Sequence, residues 1–106
     1  MSFPESDWKR FVEVKAAALE RFCQSVLEEC ERILEDEGAS AHDRYLRVFD
    51  LLRDRDSELA RAFDDHRRST ALGHLIVMRK LGVLLDEEME GFSPETRDRI
   101  ESAARP

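Results

Sequence analysis

Three histidines and two cysteines are the side chains of this chain best suited to metal or nucleophile chemistry. A carboxylate-bridged di-metal site in a helical bundle needs Glu-x-x-His on facing helices. The residues three before His42, His66 and His74 are Ala39, Phe63 and Ala71, so the motif is absent. His66 and His74 fall two turns apart on one helical stripe, about 12 Å along the axis. They cannot share one ion within a single chain. A metal site or pH switch would have to be assembled across a two-fold axis, with help from Asp64, Asp65 or a cysteine on another helix. The expectation is that each histidine hydrogen-bonds near the core, with His66 and His74 as the only metal candidates. No metal or other cofactor is assigned.

Cys23 and Cys30 lie seven residues apart on one predicted helix, about 10 Å along its axis, and cannot bridge each other. They read as core thiols. Glu28, Glu29 and Glu31 would raise a nearby thiol pKa rather than activate it. There is no Cys-x-x-Cys pair, Gly-x-Ser-x-Gly elbow or Gly-rich phosphate loop. No catalytic residue is assigned, and the chain is not expected to be an enzyme.

Arg53, Arg55, Arg61, Arg67 and Arg68 form an arginine-bearing tract on the predicted second helix. Asp54, Asp56, Asp64 and Asp65 are interleaved with it, which suits a solvated face laced with ion pairs. Net charge is −7, and no aromatic residues are interleaved on that face. Nucleic acid is therefore an unlikely partner, and binding through these arginines is the second alternative function.

These side chains must be positioned by helices. The chain has 106 residues, enough for one domain, 42% of them apolar and 39% charged, with only 4 Gly and 3 Pro. The first helix is predicted over about 3–37. Ser2 with Glu5 matches a capping box, Pro4 suits the first turn, Ser6 is a second possible N-cap, and Gly38 stops the helix. Val12, Ala16, Leu19, Cys23, Val26, Cys30 and Ile33 form an a/d seam. Phe11, Ala18, Phe22, Leu27 and Leu34 widen it. Trp8 and Phe11 are expected to cap the core.

Ser40 opens a second helix over about 41–81, whose apolar face begins with Tyr45, Val48, Phe49 and Leu52. Through residues 53–58 that face has no large apolar residue, so the helix either carries a polar patch or breaks there; one helix, straight or bent, is favoured. The stripe then resumes through Leu59, Phe63, His66, Thr70, His74, Val77 and Leu81, ending at Gly82. Short helices follow over about 86–91, with Asp86 as N-cap, and 94–103, opened by Ser93-Pro94-Glu95.

The stretch Met78-Arg79-Lys80-Leu81-Gly82-Val83-Leu84-Leu85-Asp86-Glu87-Glu88-Met89 resembles the helix–turn–helix of short bacterial C-terminal (SHOCT-type) domains. The resemblance implies an oligomerisation or anchoring element. It covers 12 of 106 residues, and Phe92-Ser93-Pro94 interrupts where the second helix of that family would run on. It is treated as a shared solution to a turn.

A helix over 3–37 would be about 52 Å long. A compact chain of this size has a radius of gyration near 13 Å. Two such helices joined by a short loop make an antiparallel hairpin with one exposed apolar side, and two hairpins can cover each other as a four-helix-type bundle. The expected fold is thus all-α, a long helical hairpin plus short C-terminal helices, completed by homodimerisation. The expected function is a self-associating protein-interaction or regulatory module. Its stripe is Leu19, Phe22, Val26, Ile33, Phe49, Leu52, Phe63 and Val77. A metal- or small-ligand-binding helical protein is the first alternative.

No apolar run is long enough to span a membrane. Met1–Asp7 has neither the basic nor the apolar region of a secretory signal. With unpaired cysteines, this places the chain in the cytoplasm as an expectation. The 14 Arg against 3 Lys suggest a GC-rich bacterium.

Overall fold

The computed structural model describes residues 3–105 and is all-helical. Five helices follow in order: α1 Glu5–Leu34, α2 Ala41–Phe63, α3 Arg68–Lys80, α4 Asp86–Met89 and α5 Pro94–Ala104. Among these residues no helix is long and apolar enough to cross a membrane.

The first helix is shorter than predicted at both ends. Pro4 takes the N-cap position without a side-chain hydrogen bond, and its carbonyl accepts the Trp8 N–H at 2.9 Å. Ser6 lies inside the helix, and Ser2, the other predicted cap, lies outside the described residues. The C-terminus frays at Glu35 rather than at Gly38, because Glu35, Asp36 and Ala39 close the loop with short-range backbone bonds. Ser40 caps α2 as predicted, its Oγ accepting the Asp43 N–H at 3.0 Å.

The predicted helix over 41–81 is two helices, and the break falls at residues 64–67, not at 53–58. Asp65 adopts a left-handed backbone (φ 69°), a conformation that Asp and Asn tolerate better than other non-glycine residues. Thr70 Oγ1 donates to the Asp65 and Arg67 carbonyls, both at 3.1 Å. The turn lets α3 fold back beside α1. Through 53–58, α2 stays helical because that stretch is solvated and carries its own pairs, Arg53–Asp50 at 3.3 Å and Arg55–Glu58 at 3.3 Å.

The core gathers at one end of the molecule. Phe11, Leu75, Met78, Leu84 and Ile100 are its largest fully buried apolar side chains. Phe11 comes from α1, Leu75 and Met78 from α3, and Ile100 from α5. Ser93 caps α5, with Pro94 in its first turn, as predicted. The short α4 is capped by Leu85, not Asp86; the Glu88 carboxylate accepts the Leu85 N–H at 3.0 Å. Arg79 braces the α3–α4 turn: it donates to the Leu84 carbonyl at 2.7 Å, to Glu101 at 2.8 Å and to Asp86 at 2.6 Å.

Gly82 ends α3. The Val83 N–H reaches the Met78 carbonyl and the Gly82 N–H the Arg79 carbonyl, both at 3.1 Å, with Gly82 at φ 77°. That is a Schellman turn. A Cβ at Gly82 would meet nothing within 4 Å, so the cost of a side chain is backbone strain alone. Gly82→Ala is expected to cost about 1 kcal/mol, lowering the melting temperature by roughly 4–8 °C. A scanning melt checks it; an unchanged midpoint would mean the turn relaxes freely.

Towards the other end the core thins to Val26 and Cys30 of α1. From Ala41 to Arg61, α2 has no fully buried residue; only Ala62 and Phe63 are buried. The α1–α2 hairpin therefore projects from the core. The molecule measures 53 × 25 × 24 Å with a radius of gyration of 16.5 Å, against about 13 Å for a compact chain of this length.

Candidate interaction surface

The two histidines do not share a helix stripe, as the uninterrupted helix had implied. His66 lies in the α2–α3 turn, its Nδ1 3.1 Å from Lys15 Nζ and its ring centroid 5.0 Å from that of Trp8. Phe11 is buried beneath it, 5.9 Å away, and Trp8 stacks on Phe11 at 5.5 Å. His74 sits on α3 with its Nδ1 buried and without a hydrogen-bond partner. Among the described residues, no three or more His, Cys, Asp or Glu side chains group as metal ligands would.

Burial pushes the His74 pKa down, Lys15 pushes it the same way, and Asp65 and Asp64 oppose them. Burial likewise lowers Lys15, against the pull of Asp64 and Asp65. A histidine lowered on folding contributes stability above its unfolded pKa, about 6.5, and that contribution is lost as pH falls through the folded value. The melting temperature of the wild type should therefore fall between pH 7.5 and 5.5 more steeply than that of His74→Gln. Parallel slopes would show that His74 titrates alike in both states.

Four of the five arginines in the predicted basic tract are bound to carboxylates of the same chain. Arg53 pairs with Asp50 and Asp54, Arg55 with Glu29 at 3.1 Å and Glu58, Arg67 with Asp65 at 2.5 Å, and Arg68 with Glu5. Arg68 also lies over the Trp8 ring, 5.6 Å from its centroid. Cys30 is buried and Cys23 half-buried, both free thiols.

The strongest feature is apolar. Tyr45, Phe49 and Leu52 stand on the outer face of α2 at 66%, 54% and 46% exposure, and Leu27 and Leu34 of α1 are each 56% exposed. Beside this ridge the two helices leave a groove. Its outer part, about 480 Å³, is lined by Leu34, Ala41, Arg44, Tyr45, Val48, Phe49 and Leu52. Its inner part, about 210 Å³, is lined by Phe22, Cys23, Val26, Leu27, Leu52, Arg55, Asp56 and Leu59. Leu52 belongs to both, so the apolar strip is continuous. A second open groove, between Leu72 and Ile76 of α3 and Ala103 of α5, lies at the core end.

The exposure follows from sequence geometry. The buried stripe of α1 is Asp7, Phe11, Val14, Ala18, Phe22, Val26 and Cys30, rotated from the predicted a/d seam. Only Val26 and Cys30 of that seam are buried; Val12 and Ala16 are exposed, and Leu19, Cys23 and Ile33 are half-buried. An apolar arc too wide for the intramolecular contacts leaves its flank in solvent.

Of the predicted interaction residues, Phe49 and Leu52 are on the exposed ridge, and Phe22 and Val26 are buried in the groove floor. Phe63 is buried, edge-on to Phe22 at 6.0 Å. Leu19 and Val77 pack partly buried against the core, and Ile33 is half-buried. Leu27, Leu34 and Tyr45 were legible as apolar positions but not as a surface. Compared with protein-family models, with curated proteins and with solved structures, the chain matches none.

Proposed function

We propose that this chain is a non-enzymatic, self-associating helical interaction module whose working surface is the apolar strip of the α1–α2 hairpin. The observation that carries the reading is the exposed ridge Tyr45–Phe49–Leu52, flanked by Leu27 and Leu34, on an arm that projects beyond the core. A contiguous apolar patch of this kind marks an association site. The occupant it suits is another apolar helix or helical hairpin, laid into the groove by its i, i+3, i+4 side chains.

A second copy meets that description and completes a four-helix bundle. Scale supports it. From Ala41 to Leu59 the strip is about 28 Å long, and two adjacent helices are roughly 20 Å wide. That plan area, with side-chain relief, is of the order of the ~800 Å² per partner of a stable interface. The free thiols of Cys23 and Cys30 support a reducing compartment such as the bacterial cytoplasm.

The test is absolute mass by light scattering after size exclusion, over a wide dilution range. A mass near twice 12.3 kDa that falls on dilution is expected. A mass of 12.3 kDa at every concentration would overturn self-association.

A further inference from the structure

We infer that two copies of this chain dock through their hairpins antiparallel, in a register set by reciprocal ion pairs between Arg44 of each copy and Asp56 of the other. This rests on the self-association reading and adds its orientation, register and source of specificity.

Three charged side chains line the hairpin groove, and they are not alike. Arg55 is satisfied within its own chain by Glu29 and Glu58. Arg44 reaches only a neutral acceptor, the Leu34 carbonyl at 2.8 Å, and its Nε is buried without a partner. Among the described residues Asp56 has no cation within ion-pair distance. One free cation thus sits in the outer groove and one free anion in the inner groove.

Their positions on α2 give the register. Tyr45, Phe49, Leu52, Asp56, Leu59 and Phe63 step by 4, 3, 4, 3, 4, the spacing of an a/d seam. Asp56 is its one charged member. A carboxylate in a seam that becomes buried is costly unless a cation meets it, and such a polar position fixes register and orientation. Arg44 and Asp56 are twelve residues apart, about 18 Å along the axis. A two-fold axis across α2 near Asp50 brings Asp56 on the ridge of one copy level with Arg44 in the groove of the other, twice. Phe49 of each copy then lies beside the axis, nearly level with Leu52 of the other. A parallel arrangement would instead set Arg44 level with Arg44 and Asp56 with Asp56, like against like.

The test uses Arg44→Glu and Asp56→Arg, alone and mixed. Both positions lie on the solvated arm, and circular dichroism verifies that each variant remains helical. Each variant alone opposes like charges at both pairs, and its dissociation constant, by sedimentation equilibrium, is expected to rise at least about 10-fold. An equimolar mixture restores both pairs, as Glu with Arg and Asp with Arg. It should form a 1:1 heterodimer near wild-type affinity, as should the double variant R44E/D56R with itself. Weakened single variants that are not rescued by mixing would overturn the pairing. Single variants that dimerise as tightly as the wild type would overturn the register while leaving self-association standing. A wild type that is monomeric throughout would overturn the underlying reading and this inference with it.

Discussion

Asp7→Ala should lower the melting temperature by about 10 °C or more. Asp7 is 1% exposed in the first turn of α1, yet its contacts lie at the far end of the chain. It accepts the Ser93 N–H at 2.8 Å, the Ser93 hydroxyl at 2.7 Å and the Thr96 hydroxyl at 2.6 Å. One carboxylate therefore docks the start of α5 onto α1, where the helix N-terminus also favours negative charge. Removing it leaves three donors without their acceptor beside a buried void. Losses of this kind run to about 3 kcal/mol, and in a domain of this size each kcal/mol moves the midpoint by roughly 4–8 °C.

Asp7→Asn keeps the volume but replaces one acceptor oxygen by a donor, so its loss should be intermediate. If Asp7→Ala melts within a degree or two of the wild type, the carboxylate does not hold α5 in place.

The same residue predicts an acid limb. Burial alone pushes the Asp7 pKa up, but the hydrogen bonds from Thr96 and Ser93 outweigh it and hold the group below the ordinary aspartate value. A carboxylate depressed on folding contributes stability that is fully present above its unfolded pKa, about 3.9. That contribution is lost as pH falls through the folded value. Below about pH 4 the wild type should lose stability more steeply than Asp7→Asn.

Asp7 also shows where sequence patterning stops. Ser93-Pro94 reads plainly as a helix start, and Ser40 as another, because capping is chemistry between neighbours. Nothing local says that the Ser93 cap is itself held by an acid 86 residues away. The a/d seam of α1 misled for a related reason. A uniform heptad face requires one continuous partner, whereas α1 packs against the core helices near its start and against α2 near its end. Its buried stripe therefore steps mostly by four and winds round the helix.

The sequence favours one continuous helix over 41–81 and offers a break only at 53–58, where apolar residues run out. An exposed helix needs no apolar face to persist when its ion pairs are in place. It ends at Asp64–Arg67, where the left-handed Asp65 and the Thr70 hydroxyl turn the chain, with no Gly or Pro to announce it. That break also removed the shared stripe for His66 and His74. The hairpin is legible in Gly38, Ser40 and the Tyr45–Leu52 face, but the length of its second arm is not: α2 ends at Phe63, well short of residue 81. Which apolar residues would be left in solvent depended on the rotation of α1, which required the packed core.

Leu52→Asp should raise the dissociation constant of the proposed dimer by about 1,000-fold or more. Leu52 is the one residue lining both parts of the hairpin groove, and it stands 46% exposed in the single chain. Leu52 lies outside the buried core, so its replacement disturbs the protomer less than the proposed dimer, and a carboxylate there can meet water. In the dimer the balance reverses. Burying leucine at an interface contributes on the order of 2 kcal/mol, and burying an unpaired carboxylate costs more. Each dimer carries the change twice, so a loss of at least about 4 kcal/mol is expected, equivalent to three orders of magnitude.

Because association stabilises only the folded state, the melting temperature of the wild type should rise with protein concentration, while that of Leu52→Asp should not. At high dilution the two should converge, which separates lost association from lost folding. Ala103→Asp is the control, placing the same charge beside the apolar groove at the core end. A Leu52→Asp protein that keeps its concentration-dependent mass, while Ala103→Asp becomes monomeric, would move the association surface from the hairpin to α3 and α5.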